Sequence, residues 1–250
     1  MFIQKIHKVI LIKSYFLSIT ISKIILLNDM MKKIIIFGTS DFAEVAHYYF
    51  THDSSYEVVA FTANSENINE KLFHDLPVIP FENIKKLYPS NEFSMFIAVA
   101  YSEINKIRSK IFLEAKLKGY ELVSYINSNA IVSKNCIIGE NCFILENVVI
   151  QPFVKVGNNV VIWSGNHIGH HVTIGDHCFI TSHVVISGNV IIEPYCFLGV
   201  NSTIRDGIKI SRECVIGAGS VILKNTLPNQ IYSNKSTTLL PFASDKLKHL

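Results

Sequence analysis

Charge is scarce in this chain of 250 residues: Asp, Glu, Lys and Arg together make up 17%, and the formal net charge is only +3. So weak a surplus excludes a surface built to hold nucleic acid or an anionic membrane. With hydrophobic residues at 49%, the same scarcity excludes an extended disordered chain and leaves one or two well-cored domains. The five cysteines contain no CxxC pair, so a zinc ribbon has no ligands to build on. Long apolar runs are missing too. Lys5, Lys8, Lys13 and Lys23 interrupt the Ile-rich start of the chain well short of a membrane span. Neither the uncharged core nor the small-residue cleavage site of a signal peptide is evident there. The pair Met30–Met31 stands directly before the first clear strand. Residues 1–29 are therefore expected to be an extension, upstream of the natural start or poorly ordered, with a short membrane-surface helix as the alternative.

What the chain does have is a repeat. Seventeen aliphatic residues recur at every sixth position, without interruption, from Ile126 through Val132, Ile138 and onward to Ile216 and Ile222. A period of six fits neither a helix at 3.6 nor a simple strand at 2. It fits a parallel β-helix in which each hexapeptide makes one short strand and one corner. Three hexapeptides close a triangular coil, so residues eighteen apart stack at the inter-strand spacing of about 4.8 Å. In this register Cys136, Cys142, Cys178, Cys196 and Cys214 all take the fifth slot, which elsewhere holds Ala130, Val148, Val154, Ser202 and similar small residues. The thiols read as buried, reduced packing groups of a cytosolic protein.

Upstream of the repeat, strands alternate with helices. Lys33 to Phe37, Tyr56 to Thr62 and Phe93 to Ala100 read as strands, and Pro77 to Pro80 as a short extended piece. Phe42 to Phe50 and Phe81 to Leu87 read as helices. Ser102 to Lys118 is amphipathic, with Ile104, Ile107, Ile111 and Ala115 on one face and Gly119 at its end. This alternation predicts a Rossmann-like α/β domain with a parallel sheet over residues 30–125. The β-helix follows over 126–226, and the turn-rich tail, 227–250, is expected to cap the last coil.

Five of the ten histidines fall between His167 and His183, and solvated corner residues are the plain reading for most of them. No two of the five are eighteen apart, so none stack, and the pattern gives no metal site within one chain. His170 stands apart because of its column: eighteen residues on is Gly188, and eighteen more is Asp206. Gly188 puts a backbone N–H, unobstructed by a side chain, one coil from an imidazole that can give or take a proton. That pairing is the minimum equipment for acyl transfer.

The strings NHIGHHVTIG, ISGNV, CFLGVNS and VIGAGSVILKN resemble those of the hexapeptide-repeat sugar acetyltransferases, above all the sialic acid O-acetyltransferases and UDP-4-amino-sugar N-acetyltransferases. The resemblance implies a small α/β domain followed by a left-handed parallel β-helix, assembled as a homotrimer. It implies acetyl-CoA as co-substrate, with no metal, and a sugar or nucleotide-sugar acceptor whose amine or hydroxyl is acetylated for bacterial surface polysaccharide. His170 takes the family's base position and Gly188 that of the oxyanion-holding amide. Gly217, Ala218 and Gly219 match main-chain contacts to pantetheine, and Lys224 is placed to meet a CoA phosphate, with a plain surface lysine as its alternative. Gly38 and Ser40 permit an anion-tolerant turn at a helix start for the acceptor. Three departures stand out. His171 replaces the acidic residue that orients the base, GTSDFA replaces a glycine-rich loop, and Thr62-Ala63-Asn64 replaces paired aspartates. The expected protein is thus a cytoplasmic acetyltransferase without a membrane span. A carbonic-anhydrase-type hydratase with an intersubunit histidine cluster and a non-catalytic trimeric scaffold or sugar-binding subunit are the rival readings.

Overall fold

Ile34, Ile35, Ile36 and Phe37 are all buried, which requires a strand covered on both faces. In the computed structural model, which describes residues 31–237 and 239, they lie in β1 (Lys32–Phe37). The expectation for residues 1–29, and most of that for the end of the tail, lies outside those residues. β1 runs parallel to β2 (Tyr56–Ala63) on one side and to β5 (Ser94–Ile97) on the other. β4 (Leu76–Pro80) extends the sheet parallel to β2, and β3 (Leu72–Phe73) closes it as an antiparallel hairpin. The hairpin turns on His74 and Asp75, at φ 47° and 61°, the left-handed pair such a two-residue loop requires. Between β1 and β2 the chain forms helix α1 (Asp41–His52), whose Phe42, Ala43, Ala46 and Phe50 face the core. Gly38 starts that crossover at φ 125°, where a Cβ would stand 2.6 Å from the Ala98 carbonyl oxygen.

The chain divides into two compact units. One adds Ile111–Val123 to the segment ending at Val99; the other joins Ala100–Lys110 to everything from Ser124 onward. Sequence periodicity had placed residues 100–110 with the α/β region. Helix Lys106–Leu117 also begins later than expected, because Glu103, Ile104 and Asn105 take positive φ (51°, 51° and 67°) and cannot belong to a right-handed helix. The expected face fails only in its first half: Asn105 and Arg108 are 0% exposed and Ile107 38%, whereas Ile111 and Ala115 are buried as expected. Backbone carbonyls satisfy part of this polar surface, while Asn105 Oδ1 and Arg108 Nε and Nη1 are buried without a hydrogen-bond partner among the described residues. Arg108 Nη2 donates to the carbonyls of Asn159, His177 and Cys178 at 3.1–3.2 Å, and its guanidinium carbon lies 5.4 Å from the centre of the Phe179 ring. Burial lowers its pKa to about 10.

From Tyr125 the hexapeptides stack as parallel strands of two residues each. Val149 pairs with Ile131 below and His167 above, and Ile150 with Val132 and Ile168, so the repeat is eighteen residues per coil. Among the described residues three sheets of six, five and seven strands result. Ile150, Ile168, Ile186 and Ile204 fill the interior, with the fifth-slot residues beside them. All five cysteines are free, and burial pushes the Cys142 thiol up to about 11. They are packing groups.

The fourth slot explains the histidine run. In all fourteen hexapeptides from Asn141 to Gly219 the residue there has positive φ. Corners of this kind favour Gly and Asn, and His is enriched in the same region. His171, His177 and His183 sit at φ 58°, 62° and 58°; their spacing comes from corner geometry. Beyond the last coil, Ile231–Tyr232 adds one further strand beside Val215–Ile216. Among the described residues no helix is long and apolar enough to cross a membrane.

Candidate active site

The β-helix has three edges. One follows the sheet containing His167–Ile168 and carries, coil upon coil, Pro152, His170, Gly188, Asp206 and Lys224. His170 is exposed, and its ring lies over Gly188: a Cβ at 188 would come 2.6 Å from His170 Cε1 and 2.8 Å from Nε2. Glycine is required here for close approach, not for its backbone angle. Two bonds hold the His170 backbone: its N–H donates to Gln151 Oε1, and its carbonyl accepts from the Asn189 N–H, both at 2.9 Å. The Gly188 N–H has no hydrogen-bond partner among the described residues. At the same slot of other coils, the amides of Glu140, Asn158 and Arg212 are capped by Asn158 Oδ1, Asp176 Oδ1 and Glu193 Oε2.

His171, which stands where the resemblance implies an acidic residue, does touch His170. Its Nδ1 lies 3.2 Å from His170 Nδ1, and its ring packs 4.8 Å from that of Phe153. If His170 Nδ1–H donates to the lone pair of His171 Nδ1, His170 Nε2 is left unprotonated and faces Gly188. The opposite arrangement would block Nε2. One tautomer therefore makes this edge a base beside an open amide donor.

Gly217, Ala218 and Gly219 lie on a different edge, after the strand Val215–Ile216, so one copy of the chain does not bring them to His170. Their geometry fits a main-chain binding strip only in part. The N–H groups of Gly217 and Gly219 are spent on Tyr232 and Val200 carbonyls at 2.7 and 2.8 Å. Among the described residues the Ala218 N–H stays open, as do those of Ser182 and Val200 in the same column. The last two were missed in the sequence, although the eighteen-residue spacing points to them. Lys224 is exposed and shares the His170 edge. The two edges flank one sheet, whose outward residues Ile131, Val185 and Val221 are 66%, 41% and 61% exposed.

In the α/β unit a cleft of about 220 Å³ is lined by Thr39, Ile68, Asn69, Glu70, Leu72, Phe73 and Val78. Thr39 lies between the expected pair, Gly38 and Ser40, which do not line it. The 68–73 loop carried no sequence signal. Thr62 is buried, its hydroxyl donating to the Ile79 carbonyl at 2.7 Å.

His177 belongs to a structural ladder. Asn141 Nδ2 donates to Asn159 Oδ1 at 2.8 Å, and Asn159 Nδ2 to His177 Nδ1 at 2.9 Å. Burial lowers its pKa to about 4, with the Arg108 charge acting in the same direction and Asp176 against it. Among the described residues no three His, Cys, Asp or Glu side chains come together as a metal-holding group.

Comparison with known proteins bears on the fold. Residues 153–188 match the model described as bacterial transferase hexapeptide (six repeats), and residues 134–167 and 189–224 match the hexapeptide repeat of succinyl-transferase. No curated protein matches the chain. Among solved structures, the acetyltransferase domain of PglB from Neisseria gonorrhoeae superposes with a TM-score of 0.72 at 20% identity, covering 81% of this chain and 97% of that one. PerB from Caulobacter crescentus, solved with CoA and GDP-perosamine, gives 0.72 at 22% identity over 81% and 94%. WeeI from Acinetobacter baumannii gives 0.68 at 20% identity over 79% and 94%. The chain therefore carries hexapeptide repeats, and its architecture is an α/β unit followed by a left-handed parallel β-helix.

Proposed function

We propose that this protein is an acetyl-CoA-dependent acetyltransferase that modifies an amine or hydroxyl of a nucleotide-linked or glycan sugar, in the cytoplasm, for bacterial surface polysaccharide. The observation that carries the reading is the placement of His170 Nε2 over Gly188, whose amide is open. In the proposed step the acceptor's N–H or O–H proton passes to His170 Nε2 as its nitrogen or oxygen attacks the thioester carbonyl carbon. The oxygen charge that develops is held by the Gly188 N–H. The C–S bond then breaks and His170 returns its proton to the CoA sulfur, so no acyl-enzyme forms. His171 fixes the base through Nδ1. The solved neighbours lend support, since PerB was captured with CoA and GDP-perosamine and the PglB domain with acetyl-CoA.

The active unit is a homotrimer in this reading. The His170 edge and the Ala218 edge flank the same apolar sheet. Packing that sheet on its neighbours sets the base of one copy beside the open amides of the next, with acetyl-CoA between them. Gly217, Ala218, Gly219 and Lys224 remain its proposed CoA contacts. The cleft beside Gly38 and Ser40, with Thr39 in its wall, would take the nucleotide.

The test is thiol release from acetyl-CoA against UDP-, GDP- and dTDP-linked amino sugars and their hydroxyl counterparts. His170→Ala should lower the rate by about 10²–10⁴. A loss below tenfold removes His170 from the role of base, and an absence of acetyl-CoA binding removes the acetyltransferase reading altogether.

A further inference from the structure

Asp206 occupies the third slot of its hexapeptide, one coil above Gly188. Its carboxylate makes no hydrogen bond or ion pair among the described residues, although a structural use is at hand. Asp176, at the same slot of another edge, accepts the N–H of the residue one coil below, Asn158, at 2.6 Å. Asp206 stands in the same relation to the open amide of Gly188 and leaves it uncapped. Instead, Oδ2 turns toward the gap that the missing Gly188 side chain creates. A Cβ there would lie 2.9 Å from Asp206 Oδ2 and 2.8 Å from His170 Nε2. The two polar atoms do not bond to each other, yet both converge on that gap, which one hydrogen-bond donor can bridge. Other charges on this edge are engaged elsewhere or exposed: Arg205 Nη1 donates to the Leu223 carbonyl at 3.3 Å, and Lys224 is exposed.

We infer that Asp206 is the acceptor-binding carboxylate and that the acceptor is a primary amine carried in as its ammonium ion. The inference rests on the acetyltransferase reading and narrows it to N-acetylation. An acceptor-only carboxylate opposite a neutral base suits a group with three donors and a positive charge; a sugar hydroxyl has one donor and no charge. The ammonium donates to Asp206 Oδ2 and loses one proton to solvent. Its nitrogen then attacks the thioester carbon as His170 Nε2 takes a second proton. Cleavage of the C–S bond, with return of that proton to sulfur, leaves the amide, free CoA and one proton in solution. Asp206 restores at the acceptor some of the negative charge that His171 does not provide.

The experiment compares native protein, Asp206→Asn and Asp206→Glu, using thiol release with the amino sugars and their hydroxyl counterparts. Asp206 is exposed, so the melting temperatures should agree. Asp206→Asn should raise KM for the amine at least tenfold and leave KM for acetyl-CoA within twofold, and Asp206→Glu should recover part of the loss. Turnover of the hydroxyl set alone, or an unchanged amine KM in Asp206→Asn, overturns this inference and spares the parent reading. Absence of thiol release with every acceptor overturns both.

Discussion

His177 offers a test that needs no substrate. The folded protein holds it neutral down to about pH 4, whereas the unfolded chain protonates it near 6.5. Between those values the unfolded state binds more protons, so stability from this group is complete above pH 6.5 and is lost as the pH falls. The loss should run at about 1.4 kcal/mol per pH unit and level off near 3 kcal/mol below pH 4. His47, whose pKa is lowered by burial and by His74 and His52, adds to the same trend, so the measurement must be a difference. His177→Asn is the suitable variant. Asparagine accepts the left-handed corner at φ 62° and can take the bond from Asn159 Nδ2, continuing the ladder from Asn141. Urea unfolding of both proteins at fixed protomer concentration, from pH 7.5 to 4.5, should show the stability difference moving by about 2–3 kcal/mol in favour of the variant. Direct titration of the His177 ring by NMR should place its midpoint near 4. Parallel stability curves, or a midpoint above 6, would refute the argument that burial keeps this imidazole neutral.

Gly188→Ala should leave the melting temperature nearly unchanged, since the exposed His170 ring can swing away, yet cost about 10²-fold in acetyl transfer by displacing the base about 1 Å; activity within threefold of native would show that the close approach has no catalytic role. His171→Asp, also compatible with the left-handed corner, places a carboxylate at His170 Nδ1. It should raise the base's pKa and move the acid limb of the kcat/KM profile to higher pH, and an unmoved limb would separate the two side chains functionally.

The β-helix was legible to single-residue resolution because stacking turns a long-range contact into a fixed sequence interval. Adding eighteen to 170 yields 188, and the ring of His170 does lie on Gly188. The α/β unit has no such interval. The 68–73 loop meets Thr39 across a cleft at separations that no periodicity encodes, and only the local strand and helix signals could be read. Arg108 shows a second limit. An apolar stripe through Ile104 and Ile107 is the usual signature of a buried helix face, but the surface that meets this segment presents backbone carbonyls. A guanidinium and an amide satisfy those carbonyls where isoleucine cannot, and charge in the sequence concealed burial in the structure.

The histidine run mixes positions that corner geometry dictates with one that it does not. Corner geometry accounts for His171, His177 and His183, since each occupies a left-handed position that histidine tolerates. His170 is the third-slot neighbour, where φ imposes no such preference and a glycine one coil away opens the space its ring fills. A cluster of like residues is informative only after the positions that backbone geometry dictates are subtracted. What remains here is one imidazole, one bare amide and one unpaired carboxylate on a single edge. Asp206 could be recognised only with the structure. Its position in the column followed from the spacing, but its failure to cap Gly188 did not, and that unused bond is what turns an ordinary surface aspartate into a candidate for recognising charge on the acceptor.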